Sequence, residues 1–269
     1  LTLKCANTAS RRSSNNTGIT AMTYCVAMCL ADGLVFASDS RTNAGVDHIA
    51  TFKKLHVFHQ EGERVLVLQS AGNLATTQSV ISLLSARIRT QQEPNLMQVT
   101  SLYDAAMLIG KTLLEVIQRD SSNQQTCSNT NFNCNLLLGG QIAGETHRLF
   151  HIYPEGNFIE ATRDTPYFQI GESKYGKPII DRVLTIDTPL EQAMCCALIS
   201  IDSTLRSNLS VGLPLDTLLY RSGSFSSAGQ HRITDSDPYF NRIRKAWSEG
   251  LLHTFQTLPT WTPAEREDE

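Results

Sequence analysis

A chain of 269 residues that is 41% apolar is long enough to bury a sizeable core within one main domain. Its formal net charge of -3 is small and its Lys and Arg residues are scattered, which excludes nucleic acid and other polyanions as partners. The longest apolar stretches, such as Leu34 to Ala37 and Leu136 to Leu138, fall far short of the roughly 20 residues that a bilayer span needs, so no membrane partner is expected.

Residues 1–22 (LTLKCANTASRRSSNNTGITAM) are rich in Ser, Thr and Asn and hold no long apolar block. They match neither a secretory signal nor a packed element, and are expected to be an extension, either a propeptide or an over-long start whose initiator is Met22. Either origin leaves Thr23 as the first residue of the mature chain. From Thr23 the pattern changes: YCVAMCL, a turn at Asp32-Gly33, then LVFAS predict two apolar strands joined by a tight hairpin. A second hairpin is expected from Lys54-Leu-His-Val-Phe and from Arg64 to Ser70, around the turn Glu61-Gly62-Glu63. After Ala71-Gly72-Asn73 a helix begins, with Val80, Ile81, Leu84 and Ile88 at helical spacing and Arg87 and Arg89 near its end. Ser101, three residues before Asp104, predicts the start of a second helix that carries Ala105, Leu108, Leu113 and Val116 inward.

Residues 120–131 (DSSNQQTCSNTN) read as a polar loop, after which NCNLLLGGQIA, HRLFHIY, NFIEAT and YFQIG are successive strand candidates forming a second antiparallel set, with Pro154 to Asn157 as the clearest turn. Helical signals return at Lys177 to Val183 and at Leu190 to Leu205, followed by a strand at Asp216 to Arg221 and a last helix near Pro238 to His253. Residues 255–269 form an expected polar tail, leaving 23–254 as the domain. Strands, two helices, strands and two helices fit an α+β class with two sheets face to face and helices outside, a four-layer αββα sandwich. Seven cysteines without paired CxxC spacing fit a reducing cytoplasm. Seven histidines without HExxH spacing give no metal site, and no cofactor is expected.

The chemistry concentrates in Thr23 to Lys54, TYCVAMCLADGLVFASDSRTNAGVDHIATFKK. An opening Thr, a hairpin leading to Asp39-Ser40-Arg41-Thr42-Asn43-Ala44-Gly45, and Lys54 at the next strand resemble the N-terminus of proteasome β-subunits and of the bacterial heat-shock-locus peptidase. Ser70-Ala71-Gly72 before a helix and Gly171-Glu172-Ser173 after a strand fall where that family has its substrate-cleft elements, and the resemblance spans residues 23 to about 225. TYCVA, ASDSRTNAGVDHIATFKKLHVF and IGESKYGKP resemble most the bacterial Anbu branch of the family.

The resemblance implies an N-terminal-nucleophile hydrolase of peptide or amide bonds. A Thr hydroxyl is a poor nucleophile and needs a base beside it; a free α-amine, with an ordinary pKa of about 7.7 to 8.0, suits neutral pH. Thr23 is therefore the expected nucleophile once Met22 is gone, with Lys54 stabilising the developing alkoxide and Asp39 holding Lys54 charged and aimed. A backbone N–H near Gly72 is the expected oxyanion donor. Arg41 either braces Asp39 through a salt bridge or takes part itself. Cys25 would be a nucleophile only if cleavage followed Tyr24; a small buried strand residue is the simpler reading. Several positions depart from the family pattern. Met22 precedes Thr23 in place of a glycine, and Glu172, with Ser173 beside it, replaces a serine. The helix-end aspartate becomes Thr204 if Ser207 is the serine that follows it, or is supplied by Asp202 after a small shift. The family also implies a homo-oligomer, ring or open spiral, with a peptide or protein substrate. No P-loop is present, so an unfolding ATPase would be a separate protein. A non-catalytic assembly subunit and a small-substrate amidase are the competing readings.

Overall fold

The computed structural model describes residues 23–43, 49–122 and 131–261. The expected extension, Ala44 and Gly45 of the motif, most of the polar loop and residues 262–269 lie outside them. Strands β1 (Tyr24–Leu30) and β2 (Gly33–Asp39) form the first hairpin. Its two-residue loop is Ala31-Asp32, so Gly33 opens the second strand instead of sitting in the turn. Short strands β3 (Arg41–Asn43) and β4 (Ile49–Thr51) pair with each other. Next come β5 (Leu55–Gln60) and β6 (Arg64–Gly72), then helices α1 (Leu74–Arg89) and α2 (Leu102–Ser122). Strands β7 (Cys134–Ile142), β8 (Arg148–Ile152), β9 (Phe158–Glu160) and β10 (Tyr167–Gly171) precede α3 (Lys177–Val183) and α4 (Leu190–Ser207). The chain ends in β11 (Leu215–Arg221), β12 (Gln230–Ile233) and α5 (Pro238–Gln256).

Local chemistry fixes the helix starts. The Asn73 side chain accepts the Thr76 N–H at 3.1 Å, and Ser101 Oγ accepts the Asp104 N–H at 3.0 Å while donating to the Asp104 carboxylate at 2.7 Å, satisfying donors that the first turn leaves open.

The sheets are ordered β10-β1-β2-β11-β12 and β5-β6-β7-β8-β9, and they are not divided by chain order as expected. The second hairpin joins the later strands, and β10 crosses to the first sheet, where Tyr24 faces Gly171 and Cys25 faces Ile170. Three apolar clusters give the four layers. Leu66, Leu68 and Phe150 pack on α1 and α2; Tyr24, Val26, Met28 and Val35 pack on α3, α4 and α5; Cys25, Ala27, Leu34, Phe36, Val65, Val67 and Leu137 meet between the sheets. Strand β1 is thus buried on both faces, which is why it reads as a continuous apolar run without alternation. Among the described residues no helix is long and apolar enough to cross a membrane.

Candidate active site

Because β1 and β2 are antiparallel, the end of β2 returns to the start of β1, and Asp39 comes beside Thr23 and Tyr24. Thr23 is 7% exposed. Its carbonyl accepts the Glu172 N–H at 2.7 Å, which extends the β1–β10 ladder past its last pair. Gly171 makes that approach possible. Its φ is +87°, and a Cβ there would stand 1.8 Å from the Thr23 carbonyl oxygen, so only glycine fits.

Asp39 is fully buried. Its Oδ1 accepts both the Tyr24 N–H at 2.9 Å and the Lys54 Nζ at 2.7 Å, and its Oδ2 accepts the Gly212 N–H at 3.4 Å. Lys54 arrives from the other sheet, immediately before β5. It is tied there by its own carbonyl, which accepts the Ser70 N–H at 3.1 Å, and its Nζ also donates to the Arg41 carbonyl at 2.6 Å. The ammonium, 5% exposed as a residue, is therefore held by a carboxylate and a carbonyl within one oxygen of the backbone that follows Thr23. Burial pushes the Asp39 carboxyl above its ordinary range, and the Lys54 charge together with the Tyr24 and Gly212 N–H groups pulls it back. Cys25 points between the sheets, with its Sγ 3.5 Å from the Ser70 carbonyl. Burial pushes its thiol far above the ordinary range, which keeps it a neutral core residue.

Of the residues named from sequence, Asp39 and Lys54 meet at 2.7 Å, and Asp39 also accepts the N–H of Tyr24, the residue that follows Thr23. Gly72 ends β6 with φ +124°, and a Cβ there would stand 2.5 Å from the Asn133 carbonyl; it lies two residues beyond Ser70, on the strand that ties Lys54. Arg41 does not brace Asp39 by a salt bridge. Its guanidinium donates to the Leu209 carbonyl at 3.2 Å, and its part in the site is its backbone oxygen. Glu172 is 3% exposed; its Oε1 accepts the Lys174 N–H at 3.0 Å and its Oε2 accepts the Asn208 Nδ2 at 3.1 Å. Ser173 is half-buried, and its carbonyl accepts the Lys177 N–H at 3.0 Å. Ser207 is exposed in the last turn of α4. Asp202 is buried but held by Arg244 at 2.5 Å and Arg206 at 3.1 Å, and Thr204 donates its hydroxyl to the Ser200 carbonyl within α4 at 3.1 Å. The residue that meets Glu172 is Asn208, the C-cap of α4, which sequence reasoning missed along with Gly212. An Asn at the predicted end of a helix was the available signal for Asn208; Gly212 had none, because its part is a backbone N–H given to the distant Asp39.

A cleft that takes in Lys53, the neighbour of Lys54 in the chain, is lined by Phe52, Lys53 and His56 and by Leu74, Thr77, Gln78, Ile81 and Ser82 of α1.

A family model described as proteasome subunit matches residues 20–212. Among solved structures, Anbu (ancestral beta-subunit) from Yersinia bercovieri is 67% identical, with 90% of this chain and 100% of that chain covered and a TM-score of 0.86. The helical assembly of the Anbu complex from Pseudomonas aeruginosa is 58% identical over 90% of this chain and 99% of that one, with a TM-score of 0.86. An Anbu (Gly-1) mutant from Hyphomicrobium sp. strain MC1 is 49% identical over 90% and 100%, with a TM-score of 0.83. The search of curated proteins returned no match. Family match, identity and coverage agree, and the chain belongs to the proteasome-subunit family, within its Anbu branch.

Proposed function

We propose that this chain is a threonine-type amide hydrolase whose nucleophile is the Thr23 hydroxyl and whose base is the Thr23 α-amine. The observation that supports this most is the fully buried Asp39 oxygen shared by the Lys54 ammonium and the Tyr24 N–H. A lysine held there lowers the energy of an alkoxide forming at Thr23 without needing solvent to reorganise. Cleavage of the Met22–Thr23 bond frees the amine. The amine takes the hydroxyl proton as Oγ1 attacks the substrate carbonyl, and the tetrahedral oxyanion is met by an N–H near Gly72. Collapse expels the substrate amine, which leaves with the proton, and gives a Thr23 ester. Water, deprotonated by the same α-amine, then hydrolyses the ester and regenerates the threonine.

The cleft between Phe52, Lys53 and His56 and the α1 residues Leu74, Thr77, Gln78 and Ile81 mixes apolar and polar lining and is suited to a side chain flanking the scissile bond. Peptide or protein is the substrate class; a small-substrate amidase would show itself by turning over acylated amines and ignoring peptides. The Pseudomonas aeruginosa relative is described as a helical assembly, and a homo-oligomer, open spiral or ring, is proposed for this chain, with any ATPase a separate partner. The second reading, a non-catalytic subunit, draws on the occupation of Asp202 by two arginines and on the Glu172–Asn208 pair.

Thr23→Ala tests the choice. Hydrolysis of amide reporters should vanish while subunit mass and fold persist, and intact-mass analysis of protein from its native host should find Thr23 first. Equal activity in the variant, or a mature chain still carrying its leader, would overturn the mechanism.

A further inference from the structure

Among the described residues the Glu172 carboxylate is buried without a counter-ion. The residue is 3% exposed, and its two oxygens accept from the Lys174 N–H at 3.0 Å and the Asn208 Nδ2 at 3.1 Å, both neutral donors. The cations of the surrounding elements are engaged elsewhere: Lys54 with Asp39, Arg206 and Arg244 with Asp202, and Arg41 with the Leu209 carbonyl. A carboxylate buried in this way is costly unless a cation completes its partners. The strand register brings one candidate to it. Tyr24 faces Gly171, so the next residues across the ladder are Thr23 and Glu172, joined by the Glu172 N–H and the Thr23 carbonyl at 2.7 Å. Residues bonded in this way have Cα atoms about 5.5 Å apart, and a Cβ on Gly171 would stand 3.4 Å from the Thr23 Cα. The Thr23 nitrogen is attached to that same Cα, a span that a glutamate side chain crosses. While Met22 precedes it, the nitrogen is a neutral amide; as a first residue it is an amine with an ordinary pKa of about 7.7 to 8.0.

We infer that Glu172 is a positioning residue whose carboxylate is the counter-ion of the Thr23 α-ammonium, and that it sets the pH above which this amine is free to act as a base. The inference rests on the proposed function in taking Thr23 as the first residue of the mature chain. Lys54 and Asp39 cancel each other, and Asp202 is neutralised by its two arginines. The uncompensated charge on the elements around Thr23 is therefore that of Glu172, and its sign favours the protonated amine. An opposite charge at this range moves a titration by about 1 to 3 pH units. Taking the ammonium out of water costs about what the pair returns, so the pairing registers in the titration of the amine and not in melting.

The test uses protein purified from its native host and two readouts. One is the pH dependence of Thr23 α-amine acetylation by acetic anhydride, read by mass spectrometry of the N-terminal peptide; the other is the pH dependence of kcat/KM for an amide reporter. In Glu172→Gln both midpoints should fall together by about 1 to 3 units, and Glu172→Asp, which keeps the charge, should hold both within about half a unit of the wild type. Asn208→Asp adds a second carboxylate beside Glu172 and should move both midpoints upward, an opposite sign that tests the inference even where the glutamine variant does not fold. Midpoints that stay put in Glu172→Gln, whatever happens to the rate, or that do not rise in Asn208→Asp, would overturn the counter-ion role and leave the threonine mechanism standing. Acetylation midpoints that move as expected in a protein that hydrolyses no reporter, wild type included, would uphold the role and overturn the hydrolase reading. A native chain whose Thr23 nitrogen is still blocked by its leader would overturn both.

Discussion

Asp39→Asn isolates the charge on which the site depends. The amide keeps an oxygen for the Tyr24 N–H and nearly the same volume, but it removes the counter-ion from a lysine whose side chain is 6% exposed and whose remaining partner is the Arg41 carbonyl at 2.6 Å. Breaking a buried pair by neutralising one member costs about 3–5 kcal/mol, because the other charge stays desolvated. With the melting temperature of a domain this size moving by roughly 2–4 °C per kcal/mol, a fall on the order of 10 °C is expected in scanning calorimetry. Lys54→Met in the same chain removes the stranded charge and should recover more than half of that loss, since an apolar replacement of both partners is close to neutral. Activity separates from stability in this series. Both the single and the double variant should lose hydrolysis of an amide reporter by at least about a hundredfold, the scale of one lost electrostatic contribution at a developing oxyanion. Wild-type melting in Asp39→Asn, or a double variant no more stable than the single one, would refute the view that Lys54 is charged and held by Asp39.

Two further outcomes follow from the same geometry. Gly171→Ala puts a methyl 1.8 Å from the Thr23 carbonyl at φ +87°; it should lose about 1–3 kcal/mol from backbone strain and more from the displaced strand end, and reporter hydrolysis should fall with melting temperature, whereas unchanged activity would show that Thr23 needs no such anchoring. His56, on the cleft wall, has its pKa lowered by burial and by the Lys53 charge. Its neutral form belongs to the folded state, so its contribution is present above the unfolded value of about 6.5 and is lost as pH falls through the depressed folded value. Melting measured from pH 8 to 5 should therefore fall less steeply in His56→Gln than in the wild type; parallel curves would show that the ring titrates freely.

What the sequence made legible divides along a physical line. Elements governed by local chemistry were readable: the β1–β2 hairpin from its apolar runs, α2 from the Ser101–Asp104 pair, and α3 from Lys177 to Val183 at its observed bounds. Asp39 and Lys54, singled out because their spacing resembles that of a known family, are paired in the fold. Partnership between distant strands was not. Period-2 patterning says which face of β10 is buried but not that it pairs with β1. Strand β12, with the sequence QHRI, is four residues on a sheet edge and has no alternation to read. Arg41 looked like a partner for Asp39 because opposite charges two residues apart invite that reading, yet the strand turns its side chain toward Leu209 and its carbonyl toward Lys54.

The order in which the site is assembled follows from these contacts. Among the described residues, the bonds that position Lys54 and Asp39 are made downstream of Thr23, by the Tyr24 N–H, the Arg41 carbonyl, the Gly212 N–H and the Ser70 N–H. None of these needs the α-amine. On the proposed mechanism the lysine–carboxylate pair is therefore complete in a chain where Met22 still precedes Thr23, and removing the leader supplies the base without rearranging the rest. Maturation then acts as a chemical switch and not a folding step. Melting and near-ultraviolet circular dichroism should be the same before and after leader removal, while amide hydrolysis appears only after it. A large structural change on removal would mean that the pair is built by cleavage, and the argument from its burial would fail.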